Sequence, residues 1–188
     1  MATVTATGER LLTLEEYVQM PDNGAPTELV RGRVVTLTPL YSYHGFVCSK
    51  ADRILGAFVD PRELGYILSN DSGVVTERDP DTLRGADVAF YSFARVPKGS
   101  LLHRGYLSVA PDLVIEVRSP GDAWSEILTK VAEYLRAGVR VVCVLDPQRT
   151  TATVYRADAP EVTLHEDQEL TFSDVLPGFS VEVRRFFQ

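Results

Sequence analysis

The most continuous hydrophobic pattern lies in residues 111–147, PDLVIEVRSPGDAWSEILTKVAEYLRAGVRVVCVLDP. Leu113, Val114, Ile115 and Val117 show no polar alternation, as in a strand covered on both faces. Glu116 interrupts that run. Beyond a Ser119-Pro120-Gly121-Asp122 turn, Ile127, Leu128, Val131 and Leu135 fall on one helical stripe, with Lys130 and Tyr134 on its border. Asp122 is the expected N-cap and Gly138 the residue that ends the helix. A second apolar strand, 139–145, follows, and a helical crossover makes the two strands a parallel, right-handed βαβ unit.

The pattern on either side of this unit is shorter in period. Residues 1–10 read as a disordered start, and 11–188 as a single domain. Thr13 and Glu16 have the spacing of a capping box, giving a short helix stopped by Pro21. Residues 27–37 read as a hairpin about Arg31-Gly32, with Glu28 near its start. Residues 44–58 read as an amphipathic helix with Phe46 or Val47, Ile54, Leu55 and Phe58 inward. Short strands are expected at 66–69 and 74–77, then a turn at Asp79-Pro80-Asp81. In the next strand, 86–91, Asp87 shares a face with Ala89, and Val88 with Phe90. A basic loop fills 97–105. Segments 151–155, 162–165 and 179–183 add strands, read as antiparallel.

Composition narrows the class. With 188 residues and 45% hydrophobic content the chain can bury a full core. It has neither a secretory h-region nor an apolar run near 18 residues, so the expectation is a cytoplasmic protein that does not enter the membrane. A net charge of -7 argues against nucleic-acid binding through general basicity. A local basic cleft stays open, because folding could bring Arg31, Arg33, Arg84, Arg104, Arg118 and Arg149 together, but most of them read as scattered surface charge. Cys48 and Cys143 read as buried thiols rather than a disulfide or a metal pair.

The chemistry is carried by what remains. Phosphate loops, dinucleotide fingerprints, zinc-protease helices and nucleophile elbows are all absent. Glu28, Asp87 and Glu116 stand at strand positions, and a carboxylate in an apolar strand needs a cation or several donors. Asp87 and Glu116 on adjacent strands could share one hard cation such as Mg²⁺, which suits phosphodiester hydrolysis with Lys130 stabilising charge or orienting water. The structural alternative is that Asp87 caps a turn and Glu116 pairs with Arg118 or Lys130. His44, without a second ligand nearby in sequence, reads first as a local packing or hydrogen-bonding group.

The pieces TELVRGRVV, His44, GADVAF, PDLVIEVRSPGD, Lys130 with Tyr134, AGVRVVCVLDP and VLPGFSV, in this order, resemble the Uma family of restriction endonucleases over nearly the whole chain. The resemblance implies an α/β fold of the restriction-endonuclease-like PD-(D/E)XK type, a mixed sheet flanked by helices. It also implies Mg²⁺, with Mn²⁺ as a substitute, and DNA as the substrate. By position, Asp87 answers to the motif's aspartate and Glu116 to its second acidic residue, while Glu28 adds to the metal ligands. Ala86 stands where the motif has proline, and Arg118 where it has lysine. The catalytic set is then Asp87, Glu116 and Lys130, with Arg118 and His44 as substrate-binding groups. A homodimer is expected from the same analogy and from the apolar tail 181–187. The rival functions are a catalytically inactive binding protein on the same scaffold and a hydrolase of small phosphate esters.

Overall fold

In the computed structural model, residues 10–21, 24–101 and 103–188 are described. The expectation for residues 1–10 therefore lies, Arg10 apart, outside the described residues. The chain opens with α1 (Leu14–Val18), held by a reciprocal capping box. Thr13 Oγ1 accepts from Glu16 N at 3.2 Å, and the Glu16 carboxylate accepts from Thr13 N at 3.0 Å. Strands β1 (Thr27–Val30) and β2 (Arg33–Thr36) form the hairpin, and its two turn residues have φ of 49° at Arg31 and 72° at Gly32. That pair of left-handed residues matches the twist of the strands.

Helix α2 (Ser42–Val59) begins two residues earlier than its apolar period implies and buries His44, Val47, Ala51, Leu55 and Val59. Phe46 is exposed, which settles the choice in favour of Val47. The two short strands expected at 66–69 and 74–77 are one, β3 (Gly65–Glu77). Asn70 and Asp71, at φ of 65° and 55°, form a bulge between Ser69 and Ser72, and the ladder to β4 (Thr82–Ser92) resumes beyond it. A turn-like sequence is here an interruption within a strand.

The βαβ unit comprises β5 (Leu113–Val117), α3 (Trp124–Arg136) and β6 (Val141–Asp146), with β5 and β6 parallel. Two details differ from the sequence reading. The N-cap is Ala123, without a side-chain cap, because the Asp122 carboxylate accepts from Ser119 N at 2.8 Å and closes the preceding turn instead. Leu128 is exposed, so the buried stripe runs through Ile127, Val131 and Tyr134. Strands β7 (Thr151–Arg156) and β8 (Ala159–Leu164) extend the sheet antiparallel. The segment around 179–183 does not join them: β10 (Ser180–Glu182) pairs with β9 (Glu169–Thr171) in a separate two-stranded sheet.

The large sheet runs β2-β1-β4-β5-β6-β7-β8, with β3 on β4. Its two faces are covered separately. Val47, Ala51, Leu55 and Val59 of α2 pack on Val88, Phe90, Leu113, Ile115 and Cys143. Ile127, Val131 and Tyr134 of α3 pack on Ala89, Val114, Val142 and Val144. The unrelieved apolar run of β5 follows from this double cover. The C-terminal tail closes the α2 side: Val183, Phe186 and Phe187 are buried in that same core, and Tyr43 Oη donates to the Phe187 carbonyl at 2.9 Å. Its apolar character is used within its own chain, which removes the reason it gave for expecting a homodimer. Among the described residues no helix is long and apolar enough to cross a membrane.

Strand β4 has an unusual edge. One side pairs with β3 along its length, while the other pairs with β1 at Leu83 and with β5 from Val88 to Phe90. Between these contacts, at Arg84–Asp87, the neighbours diverge. The sheet forks there, and the backbone in the fork must find other partners.

Candidate active site

The carboxylates singled out in the sequence meet at this fork. Glu28 Oε1 accepts from Gly85 N at 3.0 Å, and Tyr134 Oη donates to the Gly85 carbonyl at 3.4 Å. Asp87 sits one register step beyond the Val88–Ile115 pair and so opposes Glu116; its Oδ2 accepts from Val117 N at 2.7 Å. Side chains thus supply ladder bonds that the split sheet lacks. Around them is a cleft of about 660 Å³ lined by Glu28, His44, Asp71, Arg84, Asp87, Glu116 and Lys130, among others.

Lys130 reaches from α3 to both glutamates, 3.1 Å from Glu28 Oε1 and 3.7 Å from Glu116 Oε2. The helix-border position read from the sequence delivers it there, along a stem that can lie on the sheet while the head meets charge. Burial disfavours its ammonium form, but Glu116, Glu28 and Asp87 outweigh that effect and hold its pKa above the ordinary lysine value. Glu116 is 5% exposed. Its Oε1 accepts from Tyr134 Oη at 2.7 Å. Burial pushes its carboxyl up to about 7; Lys130 pulls it down and Asp87 pushes it further up. Burial, with Glu116 next, likewise raises the Tyr134 phenol well above its usual value.

Glu28 is in a different state. Burial would raise its pKa, yet Lys130 and Arg84 overcome that and lower it. Its two oxygens receive Gly85 N, Lys130 and Arg84 Nη1, the last at 2.9 Å. Arg84 is also bidentate to Glu133, at 2.6 and 3.0 Å. Arg84, expected among scattered surface charges, is largely enclosed with its side chain 12% exposed, and Glu133, for which no role was expected, is buried; both are parts of the site's frame. The only trace in the sequence was Glu133 at three residues from Lys130 on α3, and nothing there named its partner.

His44 also reaches the fork. Its Nε2 lies 3.4 Å from Asp87 Oδ2 and its Nδ1 3.4 Å from Cys48 Sγ. Burial works against the charged ring, but Asp87 prevails and raises the pKa. Asp71, delivered by the β3 bulge, joins the cleft wall, and its pKa is raised by burial first and by Asp87 next.

Arg118 lies apart. Its guanidinium binds Asp146 at 3.2 Å, Gln148 at 3.3 Å and the Asp122 carbonyl at 3.1 Å, and it stacks over Trp124. It clasps the loop before α3 to the end of β6 and is not part of the cleft lining. Expected as a substrate-binding group or as a partner of Glu116, its guanidinium is engaged instead by Asp146, Gln148 and the Asp122 carbonyl.

A mixed sheet covered on both faces by helices, with two opposed strand carboxylates and a lysine at its fork, has the restriction-endonuclease-like architecture. The chain belongs to the Uma2 family, described as "Putative restriction endonuclease", which matches residues 14–184. The structure is similar to the crystal structure of a putative nuclease of the DUF820 group from Anabaena variabilis, with a TM-score of 0.81 at 18% identity, covering 94% of this chain and 97% of that one. No curated protein matches the chain.

Proposed function

We propose that residues 11–188 form one catalytic domain acting as a Mg²⁺-dependent DNA endonuclease through Asp87, Glu116 and Lys130. The observation that carries this reading is the buried Glu116, opposed to Asp87 on the next strand and facing a cleft with a lysine at hand. The donor set fits a hard divalent ion. Both groups offer carboxylate oxygens, and the cleft lining carries six carboxylates, Glu28, Asp71, Asp87, Glu116, Asp122 and Glu126, against Arg84 and Lys130. A bound Mg²⁺ held by Asp87 and Glu116 would supply Lewis-acid polarisation of a phosphate oxygen and a water of lowered pKa.

This chain's residues then have separate tasks. Lys130 stabilises charge developing on the phosphoryl oxygens and orients the attacking water. Glu28, expected among the metal ligands, already has three protein donors, so its task is to anchor Lys130. Tyr134 fixes the Glu116 carboxylate through its hydroxyl, leaving Oε2 directed towards Lys130. His44, held between Asp87 and Cys48, lines the same cleft and contacts substrate from there. Arg118 orders the loop that carries α3 into place.

The test is incubation of the purified chain with supercoiled and linear duplex DNA, single-stranded DNA and RNA, in Mg²⁺, Mn²⁺ or chelator. The reading expects nicking of DNA with Mg²⁺ and none with chelator or in Asp87→Asn. No cleavage, together with no Mg²⁺ affinity by calorimetry, favours the inactive binding protein. The acidity of the cleft supports a second reading, hydrolysis of small phosphate esters, which have little counterion release to gain. That activity would hardly respond to salt, whereas DNA cleavage would weaken steeply.

A further inference from the structure

His44, Cys48 and Asp87 place three ligand atoms within 4.8 Å of one another. His44 and Cys48 are four residues apart on α2, one turn along the same face, and Asp87 meets them from β4. An imidazole nitrogen, a thiolate and a carboxylate oxygen form a donor set suited to zinc, in contrast to the all-oxygen set opposite. A second cavity, of about 420 Å³, opens on this trio, and Asp71 stands on its wall. His44 and Asp87 line both cavities, whereas Cys48 lines only this one. Asp87 therefore stands between two sites of different hardness.

We propose that His44, Cys48 and Asp87 form a binding site for a thiophilic divalent ion such as Zn²⁺, and that its occupation withdraws Asp87 from the Mg²⁺ site and inhibits the enzyme. Binding replaces the Cys48 S–H with a metal–sulfur bond and takes a lone pair from a ring nitrogen of His44; the thiol proton and the proton carried on that nitrogen both leave to solvent, and no electron is transferred. A protein nitrogen, sulfur and oxygen fill three positions, and the fourth is open to the cavity, where water or Asp71 completes a tetrahedron. The binding claim stands on the trio alone; the inhibition claim rests on the nuclease reading.

The two claims separate experimentally. Full-length protein is titrated with Co²⁺ as a spectroscopic stand-in for Zn²⁺, following the near-ultraviolet thiolate-to-cobalt charge-transfer absorption. The band is expected in wild type and in Cys143→Ala, is removed by added Zn²⁺, and is lost in both Cys48→Ser and Cys48→Ala. Loss of Cys48 weakens Co²⁺ binding by more than about 100-fold, beyond what removal of a supporting partner costs. A wild-type protein without the band, or a band that survives in both Cys48 variants, overturns the site. If wild type cleaves DNA, micromolar Zn²⁺ stops it while Cys48→Ala resists; equal inhibition of the two overturns the regulatory claim. If wild type never cleaves, the nuclease reading fails and the inhibition claim with it, while the cobalt spectrum still decides the binding site.

Discussion

Replacing Glu116 with glutamine, in chelator, should make the protein more stable at alkaline pH and nearly unchanged in acid. Glutamine keeps the size of the side chain and an oxygen for the Tyr134 hydroxyl, but removes a charge the fold holds at a cost. The carboxyl titrates near 4.5 when free and is pushed up to about 7 in the folded chain by burial and Asp87, against the pull of Lys130. The folded state thus binds this proton more tightly than the unfolded state does. Its stabilising contribution is complete below about pH 4.5 and is lost as pH rises through about 7. Each pH unit within that window is worth ~1.4 kcal/mol, so between about pH 5 and pH 8 wild type loses on the order of 3 kcal/mol that Glu116→Gln does not lose. For a chain of this length that corresponds to roughly 6–12 °C in Tm. Thermal unfolding of both proteins across this range, by circular dichroism, measures the difference directly. Parallel Tm profiles would refute the reasoning, and a gap opening towards acid would reverse its sign.

Other outcomes follow from the same geometry. Arg84→Met leaves Glu28 and Glu133 buried without their shared cation, and urea denaturation should record a loss of ~3–5 kcal/mol, the range for breaking a buried pair. Lys130→Ala should abolish cleavage in a plasmid-nicking assay, and it should also lower stability by ~2 kcal/mol, because its ammonium compensates two glutamates although a quarter of the side chain is exposed. Arg118→Ala should cost ~2 kcal/mol by stranding the buried Asp146, while Mg²⁺ affinity by calorimetry stays within about twofold, because the arginine lies outside the cleft. Wild-type Arg118 with an inactive Ala variant that folds and binds metal normally would instead restore it to the substrate site.

Legibility in the sequence depended on how local each signal was. Glu116 and Asp87 stood out because a charge in an apolar strand violates the period around it, and Lys130 because its helix phase set it at the edge of a stripe. The arginine at 84 offered no such contrast: its partners lie 56 residues before it and 49 after it, and only the folded sheet brings them together. The β3 bulge hid for the opposite reason, since Asn70-Asp71-Ser72-Gly73 has the composition of a chain reversal and only the continuing ladder to β4 shows that the strand carries on. Asp122 was misplaced by one turn of reasoning: it has capping chemistry, but spends it on Ser119 N before the helix starts. Likewise the tail was correctly seen as needing cover, but sequence alone could not say that α2 of the same chain provides it.

The forked edge of β4 bears on how an inert version of this protein should be made. Truncating Asp87 to alanine deletes a hydrogen-bond acceptor that the Val117 amide relies on, and truncating Glu28 does the same to Gly85. Such variants confound a chemical defect with an architectural one. Amide replacements at these positions keep an acceptor oxygen in place while discarding the charge, so Asp87→Asn is the better variant in which to test the proposed binding of duplex DNA without cleavage, and alanine scanning would overstate the chemical part of Asp87 and Glu28.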